Sequence, residues 1–150
     1  MNIDGMVHVN INCTDYERSR AFYKMLGFEE VWQVPATNSP AVNAAVAMQD
    51  YRVTGAIMRL RGVEPAVLID LLQWHQPEDH SPPYPNLHRP GLARLALRSS
   101  DLTADYEFLC EQGVEVLSPP ATVYASAKHG SRFFCFKDPD GTFLELVEQF

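Results

Sequence analysis

The sequence predicts an α+β protein of one domain, residues 1–150, built from two paired βαβββ modules. Three observations support this prediction: a strand–helix–glycine pattern occurs twice, the last strands of the two copies match, and a proline-rich segment separates the copies. The repeat is visible when residues 6–31 are set over residues 92–117, a shift of 86 positions. Self-similarity of this kind indicates a structural unit that occurs twice in the chain.

Each copy begins with a predicted strand that runs into a helix. In the first copy, apolar Val7, Val9 and Ile11 alternate with polar residues, which is typical of a half-buried strand. Each copy then offers two neighbouring N-cap candidates, Thr14 and Asp15 in the first and Ser100 and Asp101 in the second. Gly27 and Gly113 follow the helical patterns, where a C′ glycine ends a helix.

The ends of the two modules match with a different shift. The segment AVLIDLLQW (66–74) resembles GTFLELVEQ (141–149), which pairs Asp70 with Glu145 at a shift of 75 positions. The second module is therefore 11 residues shorter than the first, and we expect the extra length within residues 36–54, where proline and asparagine punctuate the chain.

These patterns place the predicted elements along the chain. In the first module we predict strands near residues 6–13, 28–35 and 42–49, followed by one at 54–61 or 66–73. In the second we predict strands near 92–99, 114–118, 122–126, 131–137 and 143–148. The modules span about residues 1–74 and 92–150, and the proline-rich segment 75–91 is the linker.

Composition limits the class of partner. The net charge of −7 disfavours nucleic acid and anionic membranes, so a small molecule is the expected partner. The chain contains no apolar run of about 18 residues, and its N-terminus lacks the segments of a signal peptide. The three cysteines (Cys13, Cys110 and Cys135) are widely spaced, so we expect buried, reduced thiols rather than disulfides or a zinc site. We therefore expect a cytoplasmic protein.

The repeat brings four polar residues into equivalent pairs. His8 and Arg94 occupy one position of the first strands, and Asp70 and Glu145 occupy one position of the last strands. Equivalent residues converge when two modules pack about a pseudo-twofold axis, so we predict a polar pocket between the modules. Both carboxylates lie in apolar strands, where a charge is costly unless it is paired or ligates a metal.

The chain resembles members of the vicinal oxygen chelate superfamily, which contains glyoxalases, bleomycin resistance proteins and extradiol dioxygenases. The resemblance rests on the strand residue His8, the helix motif DYERSRAFYKMLGF (15–28), the module end IDLLQW, and the ending FKDPDGTFLELVE (136–148). It implies that the paired modules form an open half-barrel around a divalent metal, with one ligand from each end strand. It also implies a homodimer.

On this resemblance, the metal ligands are His8, Asp70 and Glu145, a set that suits Mn²⁺, Fe²⁺, Mg²⁺ or Zn²⁺. The chain departs from the family pattern at Arg94, where relatives commonly have a second histidine, because a guanidinium cannot ligate a cation. Two alternatives follow. Either the three remaining residues hold a metal, with His88 of the linker as a possible fourth ligand, or Arg94 replaces the metal by pairing with the carboxylates.

The resemblance also implies the function. With a metal, the expected activity is that of an isomerase, lyase or epimerase on a small hydroxy-carbonyl compound, with Glu145, Asp70 and Arg94 as catalytic residues and a carboxylate moving the proton. The alternative is a metal-free protein that binds a small molecule or an antibiotic, and Arg94 favours it. A dioxygenase is disfavoured, because iron sites of that type usually use two histidines and one carboxylate.

Several other residues remain open between two interpretations. Trp32 and Trp74 are either pocket walls or core. Tyr124, Lys128 and Arg132 lie either at the pocket mouth or in a surface loop. The DPDG segment (138–141) is interpreted as a turn without a catalytic role.

Overall fold

The computed structural model describes residues 1–150, which divide into two compact units, Met1–Ser81 and Pro82–Phe150. Each unit is a βαβββ module with one four-stranded mixed sheet, so the predicted α+β class is confirmed. The strands and helices of the first unit are β1 (Val9–Cys13), α1 (Tyr16–Met25), β2 (Phe28–Gln33), α2 (Pro40–Ala45), β3 (Arg52–Leu60) and β4 (Leu68–Gln76). Those of the second are β5 (Leu95–Arg98), α3 (Leu102–Glu111), β6 (Ala121–Tyr124), β7 (Gly130–Lys137) and β8 (Phe143–Gln149).

The two sheets share one topology. Sheet 1 has the strand order β1-β4-β3-β2 and sheet 2 the order β5-β8-β7-β6. In each, the first strand of the unit pairs in parallel with the last, and the other pairs are antiparallel. The first and last strands of a unit are thus neighbours, which brings together the residues that the repeat had singled out.

The caps of the two long helices were predicted from the sequence. Asp15 accepts a hydrogen bond from the backbone N–H of Arg18 at 3.1 Å, and Asp101 accepts one from Ala104 at 3.1 Å, so the aspartates rather than Thr14 and Ser100 are the N-caps. Gly27 and Gly113 follow the C-caps with φ of 99° and 73°, a conformation that disfavours residues with a Cβ.

Because the Asp15 carboxylate satisfies a backbone donor that would otherwise lack a partner, Asp15→Ala should lower the free energy of unfolding by about 1 kcal/mol. Urea unfolding followed by circular dichroism measures this loss. Asp15→Asn keeps the acceptor and is the matched control. An equal loss in both variants would contradict the capping role.

In each unit a long helix packs on one face of the sheet, and the core of the unit lies between that helix and the sheet. In the first unit the most deeply buried side chains are Tyr23, Phe28, Met58, Ile69 and Leu71, and in the second they are Leu102, Leu109, Phe134, Phe136 and Leu144. Ring contacts join Tyr23 of α1 to Phe28 of β2, with centroids 6.0 Å apart, and Tyr106 of α3 to Phe134 of β7, with centroids 5.3 Å apart.

Two predicted strands are wrong. Residues 42–49 contain the end of α2, since Ser39 caps the helix and Pro40 occupies its first turn, where proline is favoured. The predicted strand 114–118 forms only an isolated bridge, Val116 to Phe136. Pro119 and Pro120 follow it at once, and proline has no backbone N–H to extend the pairing.

Smaller differences concern the boundaries and the cysteines. Both 54–61 and 66–73 correspond to strands, and β4 continues to Gln76, two residues into the segment predicted as linker. All three cysteines are free, but only Cys13 and Cys135 are buried, whereas Cys110 is exposed on α3. No helix of the chain is both long enough and apolar enough to span a membrane.

Candidate functional site

The face of each sheet opposite its long helix carries the polar residues of interest, and we call it the distal face. In β4, Gln73 accepts a hydrogen bond from the backbone N–H of Tyr16 at the start of α1, so Asp70 points to the distal face by the alternation of a strand. In β7, Arg132 donates to Thr103 of α3. Glu148 of β8 lies opposite Arg132 and therefore points to the helix side as well. Glu145 is three residues before Glu148, so strand alternation places it on the distal face of sheet 2.

The strand register gives the two pairs equivalent places. Asp70 lies opposite Asn10 in the parallel pair of β4 and β1, and Glu145 lies opposite Ala96 in the parallel pair of β8 and β5. His8 comes two residues before Asn10, and Arg94 comes two residues before Ala96. Each lies one residue before its strand, β1 or β5, and on the same side of the sheet as the carboxylate. The repeat is therefore maintained at the level of individual residues.

Arg94 and Glu145 form an ion pair within the second unit. The Nε atom of Arg94 lies 2.5 Å from Oε2 of Glu145, whose side chain is only 9% exposed, whereas the arginine side chain is 40% exposed. A buried carboxylate needs a partner to offset its lost hydration, and the guanidinium supplies it. Arg94 therefore neutralises a buried carboxylate while part of its own side chain stays exposed on the distal face.

Cys135 completes this cluster and was missed by the sequence analysis. Its thiol donates to the same Oε2 atom of Glu145, with 3.6 Å between sulfur and oxygen, and it lies directly opposite Glu145 in the β7–β8 pair. Burial raises the pKa of the Cys135 thiol, and the Glu145 charge raises it further while Arg94 opposes the shift. The thiol therefore stays protonated and acts as a donor. Counting the hairpin register outward from the DPDG turn would have found it.

Asp70 differs from Glu145 because no cation is paired with it. Its Oδ1 atom is buried and has no hydrogen-bond partner, although the residue as a whole is only half-buried. Burial raises the pKa of the Asp70 carboxyl, and the charge of exposed His8 acts in the opposite direction. The two carboxylates of the repeat are therefore in different electrostatic states.

The raised pKa of Asp70 predicts a pH effect on stability. The folded state holds this proton more tightly than the unfolded chain, so stability should fall as pH rises from about 3.9 through the folded-state pKa. Asp70→Asn should remove this part of the pH dependence and be more stable than the wild type at neutral pH. Urea unfolding between acidic and neutral pH measures the effect, and Asp4→Asn, at an exposed site, should keep the wild-type slope. A steeper slope in Asp70→Asn would overturn the assignment.

Neither unit by itself assembles the predicted three-ligand metal site. Neither unit contains a group of three or more histidine, cysteine, aspartate or glutamate side chains arranged to hold a metal ion. Glu145 is already neutralised by Arg94, although the unpaired oxygen of Asp70 is the kind of donor that a cation uses. His8 and Asp70 belong to the first unit and Glu145 to the second, and their convergence on one ion remains a prediction. His88 lies exposed in a turn.

A comparison with family profiles establishes the superfamily of the chain. The profile of the glyoxalase/bleomycin resistance protein/dioxygenase superfamily matches residues 5–146, nearly the whole chain. The chain belongs to this superfamily. The resemblance seen in the sequence motifs is thereby confirmed, and the paired βαβββ modules are the fold expected of a superfamily member.

Relatives support the same assignment. Protein YwkD of Bacillus subtilis (strain 168) is 29% identical over 99% of this chain and 100% of its own length. A glyoxalase family protein from Bacillus cereus superposes with a TM-score of 0.82 at 16% identity, over 99% of this chain and 96% of that one. TnmS3, an antibiotic binding protein from Streptomyces sp. CB03234, matches with a TM-score of 0.63 at 24% identity, over 99% and 98% of the two chains. At these identities the two solved structures support the fold alone.

Proposed function

We propose that this superfamily member binds a small molecule bearing two neighbouring oxygens and that Arg94, rather than a metal, supplies the positive charge. The observation that supports this proposal is the ion pair between Arg94 Nε and buried Glu145. Because that contact is made by Nε, it orients the guanidinium, and we infer that the Nη groups remain available to a ligand. A guanidinium presents its N–H donors as a planar fork that matches a pair of oxygens.

The proposed ligand class follows from this fork. A carboxylate, or an adjacent hydroxyl and carbonyl, offers two oxygens at the spacing that a bidentate arginine contact requires. Arg94 is 40% exposed, so such a ligand can reach it without displacing Glu145. The antibiotic binding recorded for TnmS3 supports a binding role within this fold, and it is a property of that protein.

An enzymatic role is the second candidate, and Asp70 favours it. A half-buried carboxyl group whose pKa is raised by burial, and which has an unpaired oxygen, is suited to accept or release a proton. In this candidate, Asp70 moves the proton of an isomerase, lyase or epimerase reaction. Glu145 is less suited to this role, because its carboxylate is already engaged by Arg94.

Titration calorimetry with glycolate as the probe tests the binding proposal. Binding to wild-type protein treated with chelator should persist, and Arg94→Gln should weaken it at least about tenfold, while Arg94→Lys should weaken it less. Arg98→Gln changes an exposed arginine on the same side of β5 and is the matched control. Loss of binding on chelation, with recovery on adding Mn²⁺ or Zn²⁺, would instead support the metal-dependent enzyme.

A further inference from the structure

Trp32 lies on the distal face of sheet 1 because of a β-bulge. In β2, Phe28 contacts Tyr23 of α1 and Glu30 pairs with Arg20 of the same helix, so both point toward the helix. Regular alternation would continue this pattern to Trp32. The register instead shifts between Glu30 and Trp32, and Trp32 lies opposite Ile57. One extra residue turns the indole to the other face, which is how bulges redirect side chains near binding sites.

The bulge aligns Trp32 with Asp70 across the sheet. Trp32 lies opposite Ile57 of β3, Ile57 lies opposite Asp70 of β4, and Asp70 lies opposite Asn10 of β1. We call these four residues the distal row. Since neighbouring strands are about 4.8 Å apart, roughly 10 Å separates the strand positions of Trp32 and Asp70. Ile57 provides an apolar floor between them.

Both ends of this span have unused binding capacity. Trp32 is 56% exposed, although tryptophan is usually well buried, so much of its ring surface is available. Asp70 is only half-buried, its carboxylate has no paired cation, and its Oδ1 atom has no donor. By contrast, the indole N–H of Trp74 on the same face already donates to Asn12 at 2.9 Å. Trp74 is therefore committed to the fold, and Trp32 is not.

We propose that the distal row binds a planar aromatic molecule that carries an N–H-bearing cationic group, with its ring on Trp32 and Ile57 and its N–H groups at Asp70. An anionic ligand would be repelled by Asp70, and a purely apolar one would leave the carboxylate without a donor. An amidinium or ammonium group supplies both the missing hydrogen bond and the opposite charge. The row lies within the first unit and does not use Arg94, so this inference goes beyond the function proposed above and is tested separately.

Benzamidine and benzoate are the matched probes, because they share a planar ring and differ in charge and donor capacity. In a Trp74→Phe background Trp32 is the sole tryptophan, so its fluorescence reports on the distal row directly. With chelator present, benzamidine should produce a saturable change in Trp32 emission. Benzoate should require at least about a tenfold higher concentration.

Substitutions at Asp70 and Trp32 test the contribution of each end of the distal row to binding. In the same background, Asp70→Asn should weaken benzamidine binding about tenfold, whereas Glu29→Gln, which changes an exposed carboxylate of β2, should not. Trp32→Leu in otherwise wild-type protein should abolish benzamidine binding measured by calorimetry, with thermal melts checking that each variant folds. Equal binding of the two probes, an unchanged affinity in Asp70→Asn, or no saturable change would each overturn the proposal.

Discussion

Arg94→Ala should lower the free energy of unfolding by about 2 kcal/mol. The substitution leaves the buried Glu145 carboxylate with only the weak thiol donor of Cys135, and an unpaired buried charge is costly. Loss of a fully buried pair costs about 3–5 kcal/mol, but Arg94 is 40% exposed, so water offsets part of the loss. Urea unfolding at neutral pH measures the difference.

Two variants make the interpretation specific. Arg98→Ala removes an exposed arginine from the same strand and should change stability by less than about 0.5 kcal/mol. Adding Glu145→Gln to Arg94→Ala should recover much of the loss, because a neutral amide needs no countercharge. A small effect of Arg94→Ala, or no recovery in the double variant, would show that the pair contributes little to folding.

Gly55→Ala should have the larger effect, about 3 kcal/mol. Gly55 lies in the middle of β3, and a Cβ at this position would collide with the backbone oxygen of Leu71 and lie 2.6 Å from Cδ2 of Leu72. The backbone oxygen cannot rotate away as a side chain could, so β3 and β4 must separate. Strain of this kind in a packed sheet typically costs about 1–3 kcal/mol, and the collision with backbone places Gly55 at the upper end.

Gly5→Ala is the matched control, because a Cβ at Gly5 would meet nothing within 4 Å. It should leave the melting temperature unchanged, while Gly55→Ala should lower it by several degrees or prevent folding. If Gly55→Ala melts like the wild type, the two strands can separate locally at little cost.

The sequence repeat predicted the topology well, for a physical reason. Asp15 and Asp101 cap helices, and Gly27 and Gly113 end them, because these roles depend on local backbone chemistry that each residue type carries with it. The shifts of 86 and 75 positions also proved consistent with the strand register. Features set by residue type and spacing are therefore readable in a single sequence.

Features that depend on neighbouring strands were not predictable in this way. Val31 is the extra residue of the β2 bulge, and no alternation pattern reveals that it moves Trp32 to the other face. The helix at residues 40–45 was missed although Ser39 and Pro40 are a typical helix start, because six residues are too few to show a helical period. Cys135 was missed because its role depends on its distance from Glu145 across the sheet.

The equal places of His8 and Arg94 in the two registers have a consequence for how this site can change over generations. Each histidine codon differs from one arginine codon by a single nucleotide, and each of the two residues stands just before a strand that pairs in parallel with the carboxylate's strand. Point mutation alone can therefore exchange an imidazole for a guanidinium in either half without rebuilding the sheet. One base change can thus alter the charge next to Asp70 or Glu145 while the strand register stays the same.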